Sequence, residues 1–487
     1  MRSLYKIFMM IKTMMKKVFA TTCGLIFCLQ LLTAQVPKPT PQQLQWHDME
    51  FYLFTHFGPN TFTDLEWGKG TEKEEVFNPT SLDCRQWCRV AKKAGAKGII
   101  ITAKHHDGFC LWPSKYSSHT VRESKWKNGK GDVLKELSSA CKEYGLKFGV
   151  YISPWDRNHP DYGTAKYNDV FVHMMTELFT NYGPIWELWW DGANGEGPNG
   201  KKQVYDWDRF KKTVKKLSPS TVIFSDIGPH IRWVGNENGI AGETNWNTLD
   251  TIGFSAGEGA PKTDTLNMGN FNGKNWIPAE CDVSIRPGWF YHKEEDAKVK
   301  TPEHLFNLYL KSAGRGATLL LNVPPDRRGL IHENDSAALV SFKKLRTKNF
   351  KTNLSLNAVA SVVSSSASKA RGLVNDNNPN TFAEIKYLDK ERIQVHFKKP
   401  IMINCVVLKE FIKDGQSVQK FSVEVSSKDK QESFLQSTIG HKRIITFPAR
   451  EADDIFINFA ESKRNIKIAE VETYLIDEAL AEPQKIN

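Results

Sequence analysis

Histidines, tryptophans and carboxylates crowd five short segments of this 487-residue chain, each just after an apolar run. The first is Thr55-His56-Phe57-Gly58, followed by Glu66-Trp67-Gly68. Lys104-His105-His106-Asp107-Gly108-Phe109 is the second, and Tyr151-Ile152-Ser153-Pro154-Trp155-Asp156 the third. Trp189-Trp190-Asp191-Gly192 is the fourth, and Ser225-Asp226 leads on to Arg232-Trp233-Val234-Gly235-Asn236-Glu237. One histidine on an apolar run is usually a satisfied core residue, and one acid after a strand is often a helix cap. Five such sites in succession are hard to explain as packing, since a buried polar group without a partner costs stability. The residue types suit a sugar: indole faces cover C–H patches, polar side chains hold hydroxyls, and two carboxyl groups displace the glycosidic bond. A metal hydrolase built on His56, His105, His106 and Asp191 is the competing reading. Against it, His105 and His106 are neighbours in an extended segment, so their side chains are expected to diverge. No metal is expected.

These segments fall where barrel enzymes gather their chemistry, at the C-terminal ends of parallel strands. Apolar runs at 51–57, 98–103, 148–153, 185–190, 222–225 and 318–323 alternate with amphipathic stretches. In the helix expected at 81–94, Trp87, Val90, Ala91 and Ala94 recur at the spacing of one buried face. Val133, Leu134, Leu137, Ala140, Cys141 and Tyr144 repeat it, as do Phe210, Val214 and Leu217. Strands this apolar need cover on both faces, which predicts a (β/α)8-like, TIM-type barrel over 35–346. Past about residue 350 the pattern becomes strict alternation, as in Ile393, Val395 and Phe397. Turn signals punctuate it, so an antiparallel β-sandwich is expected over 353–478.

Lys16 and Lys17 precede the apolar run 18–32 and the small residues that end at Ala34, so residues 1–34 read as a signal peptide too short to span a bilayer. A secreted or periplasmic location follows as an expectation. Five basic residues and no acid fall in that segment, leaving +6 of the formal +11. Acids interleave with the remaining bases, which excludes the one-sided basic face that nucleic acids need. The six cysteines at 84, 88, 110, 141, 281 and 405 lack the spacing of a disulfide scaffold or zinc finger and read as buried thiols.

KHHDGF at 104–109, LWWDG at 188–192, SIRPGW at 284–289 and LLLNVPPDRRG at 319–329 occur in that order. Together they resemble the α-L-fucosidases of glycoside hydrolase family 29, over roughly residues 40–345. RWVGNENG at 232–239 is similar to the branch that prefers α-1,3/1,4-linked fucose on branched, Lewis-type glycans, whose members commonly carry a C-terminal β-sandwich. The resemblance implies a retaining exo-α-L-fucosidase that uses no cofactor, with Asp191 as nucleophile and Glu237 as general acid/base. Glu280 and Glu243 are rivals for the second role. His56, Glu66, Trp67, His105, His106, Tyr151 and Trp189 would hold the fucose, and Arg286 and Trp289 lie in a family-like motif that adds them to the substrate set, with bracing of the barrel as the alternative for each. Another retaining glycosidase, such as a galactosidase, and a non-catalytic glycan-binding barrel are the alternatives. The sandwich resembles discoidin or galactose-binding-like modules through NDNNPNTF at 375–382.

Overall fold

The computed structural model describes residues 36–364, 368–428 and 430–481. The expected signal peptide lies outside them. Residues 38–481 pack as one compact unit.

Eight parallel strands close into a barrel: β1 (Phe51–Thr55), β2 (Gly98–Lys104), β3 (Lys147–Ile152), β4 (Glu187–Trp189), β5 (Val222–Ser225), β6 (Ile231–Trp233), β7 (Ala279–Ser284) and β8 (Thr318–Asn322). Around the ring the order is β1-β8-β7-β6-β5-β4-β3-β2. Six of the eight stand out as apolar runs in the sequence. β6 and β7 do not, because β6 spans only three residues around a buried arginine. In β7 every second residue is polar: Glu280, Asp282 and Ser284 turn inward while Cys281 and Val283 meet the outer layer.

Side chains alternate between two layers. Tyr52, Phe54, Ile100, Tyr151, Trp189, Val222, Phe224, Ile231 and Leu320 fill the interior. Phe51, Leu53, Ile99, Ile101, Leu188, Leu319 and Leu321 pack outward with the helices. Burying one such side chain contributes about 1.5–3 kcal/mol. A one-residue slip would exchange the layers, so the strand register is strongly fixed and all strand ends reach the same rim.

The outer helices obey local stop signals. Helix α1 (Pro41–His47) precedes the barrel, followed by α2 (Cys84–Ala94), α3 (Val133–Tyr144), α4 (Lys166–Asn181), α5 (Trp207–Leu217), α6 (Pro302–Lys311) and α7 (Glu333–Asn349). Helix α2 starts three residues later than its apolar spacing suggests, because the extended Asp83 caps it by accepting the Gln86 N–H. It stops at Gly95, whose φ of 74° a side chain would strain. No helix among the described residues is long and apolar enough to cross a membrane.

An eight-stranded antiparallel sheet follows the barrel. Its long strands Arg392–Glu410 and Arg443–Ser462 shift register between His396 and Ile401, and the network encloses its own core of residues such as Ile393, Val395, Phe421 and Ile457. Its outer face seals against the barrel. Ile444 N donates to Gly314 O at 2.8 Å, and Asn245 N to Thr438 Oγ1 at 2.9 Å. His441 stacks on His47 at 5.2 Å, and Lys442 pairs with Glu50. All six cysteines in the described residues are buried free thiols.

Candidate active site

Asp191 lies two residues past the end of β4 and sits at the mouth of the barrel with its side chain 24% exposed. Both of its oxygens are held. Oδ1 accepts the Ala193 N–H at 2.7 Å; Oδ2 accepts the Tyr151 hydroxyl at 2.9 Å and lies 3.7 Å from His106 Nε2. His106 is fixed from behind, its Nδ1 2.8 Å from Ser153 Oγ, and burial pushes its pKa down to about 4. It is therefore neutral at ordinary pH and leaves the charge of Asp191 intact.

The three histidines adjoin. The His105 and His106 rings are 4.1 Å apart, contrary to the divergence expected from strand alternation. The reason is that β2 ends at Lys104, and both residues lie in the following turn, where the Gly108 N–H bonds back to His105 O. His105 stacks on Tyr151 at 5.7 Å, and its buried Nδ1 has no partner within the protein. His56 Nδ1 meets Asn322 Oδ1 at 2.9 Å, and burial lowers its pKa to about 3. Its ring lies 5.1 Å from Trp289 and 5.4 Å from Phe290. Among the described residues no cluster of three or more His, Cys, Asp or Glu is arranged to hold a metal.

Tryptophans close the rim. Trp189 stacks on Tyr151 at 5.2 Å, and Trp67 stands edge-on to His106 at 5.3 Å with 56% of its surface exposed. Trp289 Nε1 donates to Glu237 Oε2 at 3.2 Å. Asp191, Tyr151, His56, Trp289 and Glu237 thus form a chain of neighbouring groups around one opening. Glu66 secures the far wall: its oxygens accept the backbone N–H groups of Trp289 (2.8 Å) and Phe290 (3.2 Å), and His292 Nε2 lies 2.6 Å away. Burial opposes a charge on His292, yet that bond to Glu66 raises its pKa overall.

Arg286 is a correction to the expected substrate set. Its side chain is fully buried and grips Asp335 through Nε and Nη2 (2.8 Å for Nη2–Oδ2) and Asp296 through Nη1 (3.0 Å). The guanidinium braces the 285–296 segment and offers nothing to a sugar. Glu280 lies deep in the barrel, where Trp189 Nε1 donates to it at 2.8 Å. Glu243 is 73% exposed and points to Arg315, 3.6 Å away, while its backbone O accepts Ser437 Oγ from the C-terminal sheet. A cleft of about 440 Å³ bordered by Trp190, Trp207 and Phe254 is lined by none of the gathered residues.

Two positioning groups were given no role from the sequence. Asp282 accepts Trp233 Nε1 at 2.9 Å, and burial, then the charges of Glu237 and Glu280, push its pKa well up. Asn322 fixes His56 and donates to Ser284 Oγ at 3.0 Å. The signal for Asp282 was the two-residue alternation of polar side chains along β7, hidden because a polar strand does not read as a strand; Asn322 is the polar residue that ends the apolar run of β8.

A closed parallel barrel whose rim joins neutral imidazoles, indoles and aimed carboxylates defines a barrel glycoside hydrolase. Residues 34–349 match the α-L-fucosidase family model. Alpha-L-fucosidase 1 of Arabidopsis thaliana is 39% identical over 457 residues, covering 92% of this chain and 86% of its own. A putative α-L-fucosidase from Bacteroides ovatus superposes with a TM-score of 0.81 at 42% identity, covering 93% of this chain and 76% of its own. A Ruminococcus gnavus family 29 fucosidase in complex with fucose does so at 0.82 and 29%, covering 92% and 96%. The chain belongs to the α-L-fucosidase family, glycoside hydrolase family 29.

Proposed function

We propose that the protein is a retaining exo-α-L-fucosidase that releases α-1,3/1,4-linked L-fucose from branched, Lewis-type glycans. Asp191 is the nucleophile and Glu237 the general acid/base. The observation that carries this reading is the restraint on Asp191: a carboxylate fixed by Tyr151 and the Ala193 N–H, with a neutral His106 beside it, is aimed and uncompensated. Glu237 is favoured over Glu280 and Glu243 by its bond to Trp289, whose ring adjoins His56. His56, Glu66, Trp67, His105, His106, Tyr151, Trp189 and Trp289 are assigned to the sugar, with the unpartnered His105 Nδ1 facing a hydroxyl.

In the first step Asp191 attacks the anomeric carbon while Glu237 gives its proton to the departing glycosidic oxygen, leaving a fucosyl ester on Asp191. Glu237, now a carboxylate, takes a proton from water as that water attacks the same carbon, which frees fucose and restores both groups. Retention calls for the two carboxyl groups to stand about 5–5.5 Å apart across the bound sugar. The aromatic surfaces of Trp189, Trp289 and Phe290 suit the 6-methyl group of fucose and would disfavour a galactoside by about 1–3 kcal/mol.

Asp191→Asn is expected to abolish turnover of an aryl fucoside while preserving fucose binding; normal turnover would remove the proposal. Glu237→Gln should still be fucosylated by an aryl fucoside with a good leaving group, with azide speeding the release that now lacks a base, and should lose natural glycans. Comparing a Lewis trisaccharide with a linear 2-fucosylated glycan tests the linkage, and N-terminal sequencing of the exported protein tests cleavage after residue 34.

A further inference from the structure

Beneath the sugar site, inside the sealed barrel, two carboxyl groups face each other. Glu187 on β4 and Glu280 on β7 are both completely buried. Their hydrogen bonding is lopsided. Glu280 receives the Trp189 indole N–H on Oε1 at 2.8 Å and the Tyr52 hydroxyl on Oε2. No hydrogen bond of ordinary geometry reaches either oxygen of Glu187, and the Trp46 indole lies beside both carboxyl groups without favouring one. The groups that face the pair are Trp46 on α1, Tyr52 on β1, Trp189 on β4 and Asp282 two residues along β7, and none of them is cationic. Two buried anions side by side without a cation cannot both persist, so the pair holds a proton. The donors decide where it sits. Glu280, with the Trp189 and Tyr52 donors to itself, carries the negative charge; Glu187, with no donor of its own, keeps the proton and presents it to Glu280.

From this we infer that Glu187 and Glu280 form a proton-sharing positioning unit, in which the Glu280 carboxylate, completed by the Glu187 proton, orients Trp189 for the fucosidase reaction. The relay outward is short. Trp189 lies flat on Phe224 (4.0 Å, 11°) and stacks on Tyr151, whose hydroxyl holds Asp191. Glu280 itself never meets the sugar, because Trp189 lies over it. A small rotation of the indole displaces Tyr151 and misaims Asp191, and misplacement by about 1 Å can cost a hundredfold in rate. The inference rests on the fucosidase reading for its kinetic test and on chemistry alone for its spectroscopic one.

The test is an asymmetry between two isosteric changes. Glu280→Gln puts an amide NH2 against one of two donors and should lower kcat/KM for an aryl fucoside ten- to a hundredfold. That loss should sit in kcat, be the same for good and poor leaving groups, and resist azide rescue. Glu187→Gln mimics the protonated acid and should cost less than threefold. In infrared difference spectra of the full chain, wild type minus Glu187→Gln should isolate the C=O stretch of one buried protonated carboxylic acid, while any band from Asp282 is common to both and cancels. Should Glu280→Gln fail to fold, Trp189→Phe, which deletes only the indole and its N–H, must reproduce the kcat loss. Equal damage from both glutamine variants, wild-type kinetics in Glu280→Gln or Trp189→Phe, or a difference spectrum between wild type and Glu187→Gln that lacks a protonated-acid band would each overturn the inference. If the wild type turns over no fucoside, the functional reading fails and the infrared band alone judges the pair.

Discussion

His56, His105 and His106 enter the barrel mouth as neutral imidazoles, because burial dominates their charge and, at His56 and His106, outweighs the pull of Asp191. They can therefore donate and accept hydrogen bonds to hydroxyls without quenching the negative charge of Asp191. Arg286 illustrates the opposite case. The sequence places it in a family-like motif, and motif membership says nothing about which way a side chain points. In the fold it is the fully buried partner of Asp335 and Asp296. Arg286→Ala should thus cost about 3–5 kcal/mol of stability by stranding those carboxylates, measured by denaturant unfolding, while KM of the folded fraction changes only a few-fold. A stable variant whose KM rises more than tenfold would return Arg286 to the sugar.

At the scale of elements, the segment carrying Trp289 and Phe290 is held by Glu66 reaching across from the loop after β1. That grip requires a residue without a side chain at position 288, since a Cβ there would stand 2.6 Å from Glu66 Oε1 and 2.9 Å from the His292 ring. Gly288→Ala is expected to raise KM for an aryl fucoside about tenfold at a stability cost of roughly 1–3 kcal/mol. Unchanged KM would show that the clamp does not shape the pocket. Much of this arrangement was legible beforehand. Apolar runs marked β1 to β5 and β8, and the residues at and just past their C-terminal ends supplied Asp191, Tyr151 and the histidines. β7 stayed hidden because its inward residues are Glu280, Asp282 and Ser284, and hydrophobic periodicity reports only apolar faces. The pairing of His105 with His106 was misjudged for a related reason: strand alternation was carried one turn past the end of β2.

For the whole molecule, the seam between barrel and sheet is where pH should be felt. His441 stacks on His47 there, and burial holds its pKa at about 4. An unfolded histidine titrates near 6.5. As pH falls through about 6.5 the unfolded chain takes up this proton before the folded one does, so stability is full above that value and declines down to about 4. His441→Gln should flatten part of the fall in Tm between pH 7 and pH 4.5; an unaltered slope would assign the acid sensitivity elsewhere.

Strand β7 also constrains what the gene can tolerate. Its three inward polar groups serve three depths: Glu280 under Trp189, Asp282 beside Trp233, and Ser284 behind Asn322. Deleting one residue from this strand would rotate all three onto the greasy helical layer and send Cys281 and Val283 into the lumen. Such a lesion would strike floor, wall and rim in a single event, so length changes in this family should be tolerated in the loops that flank β7 and purged from the strand itself.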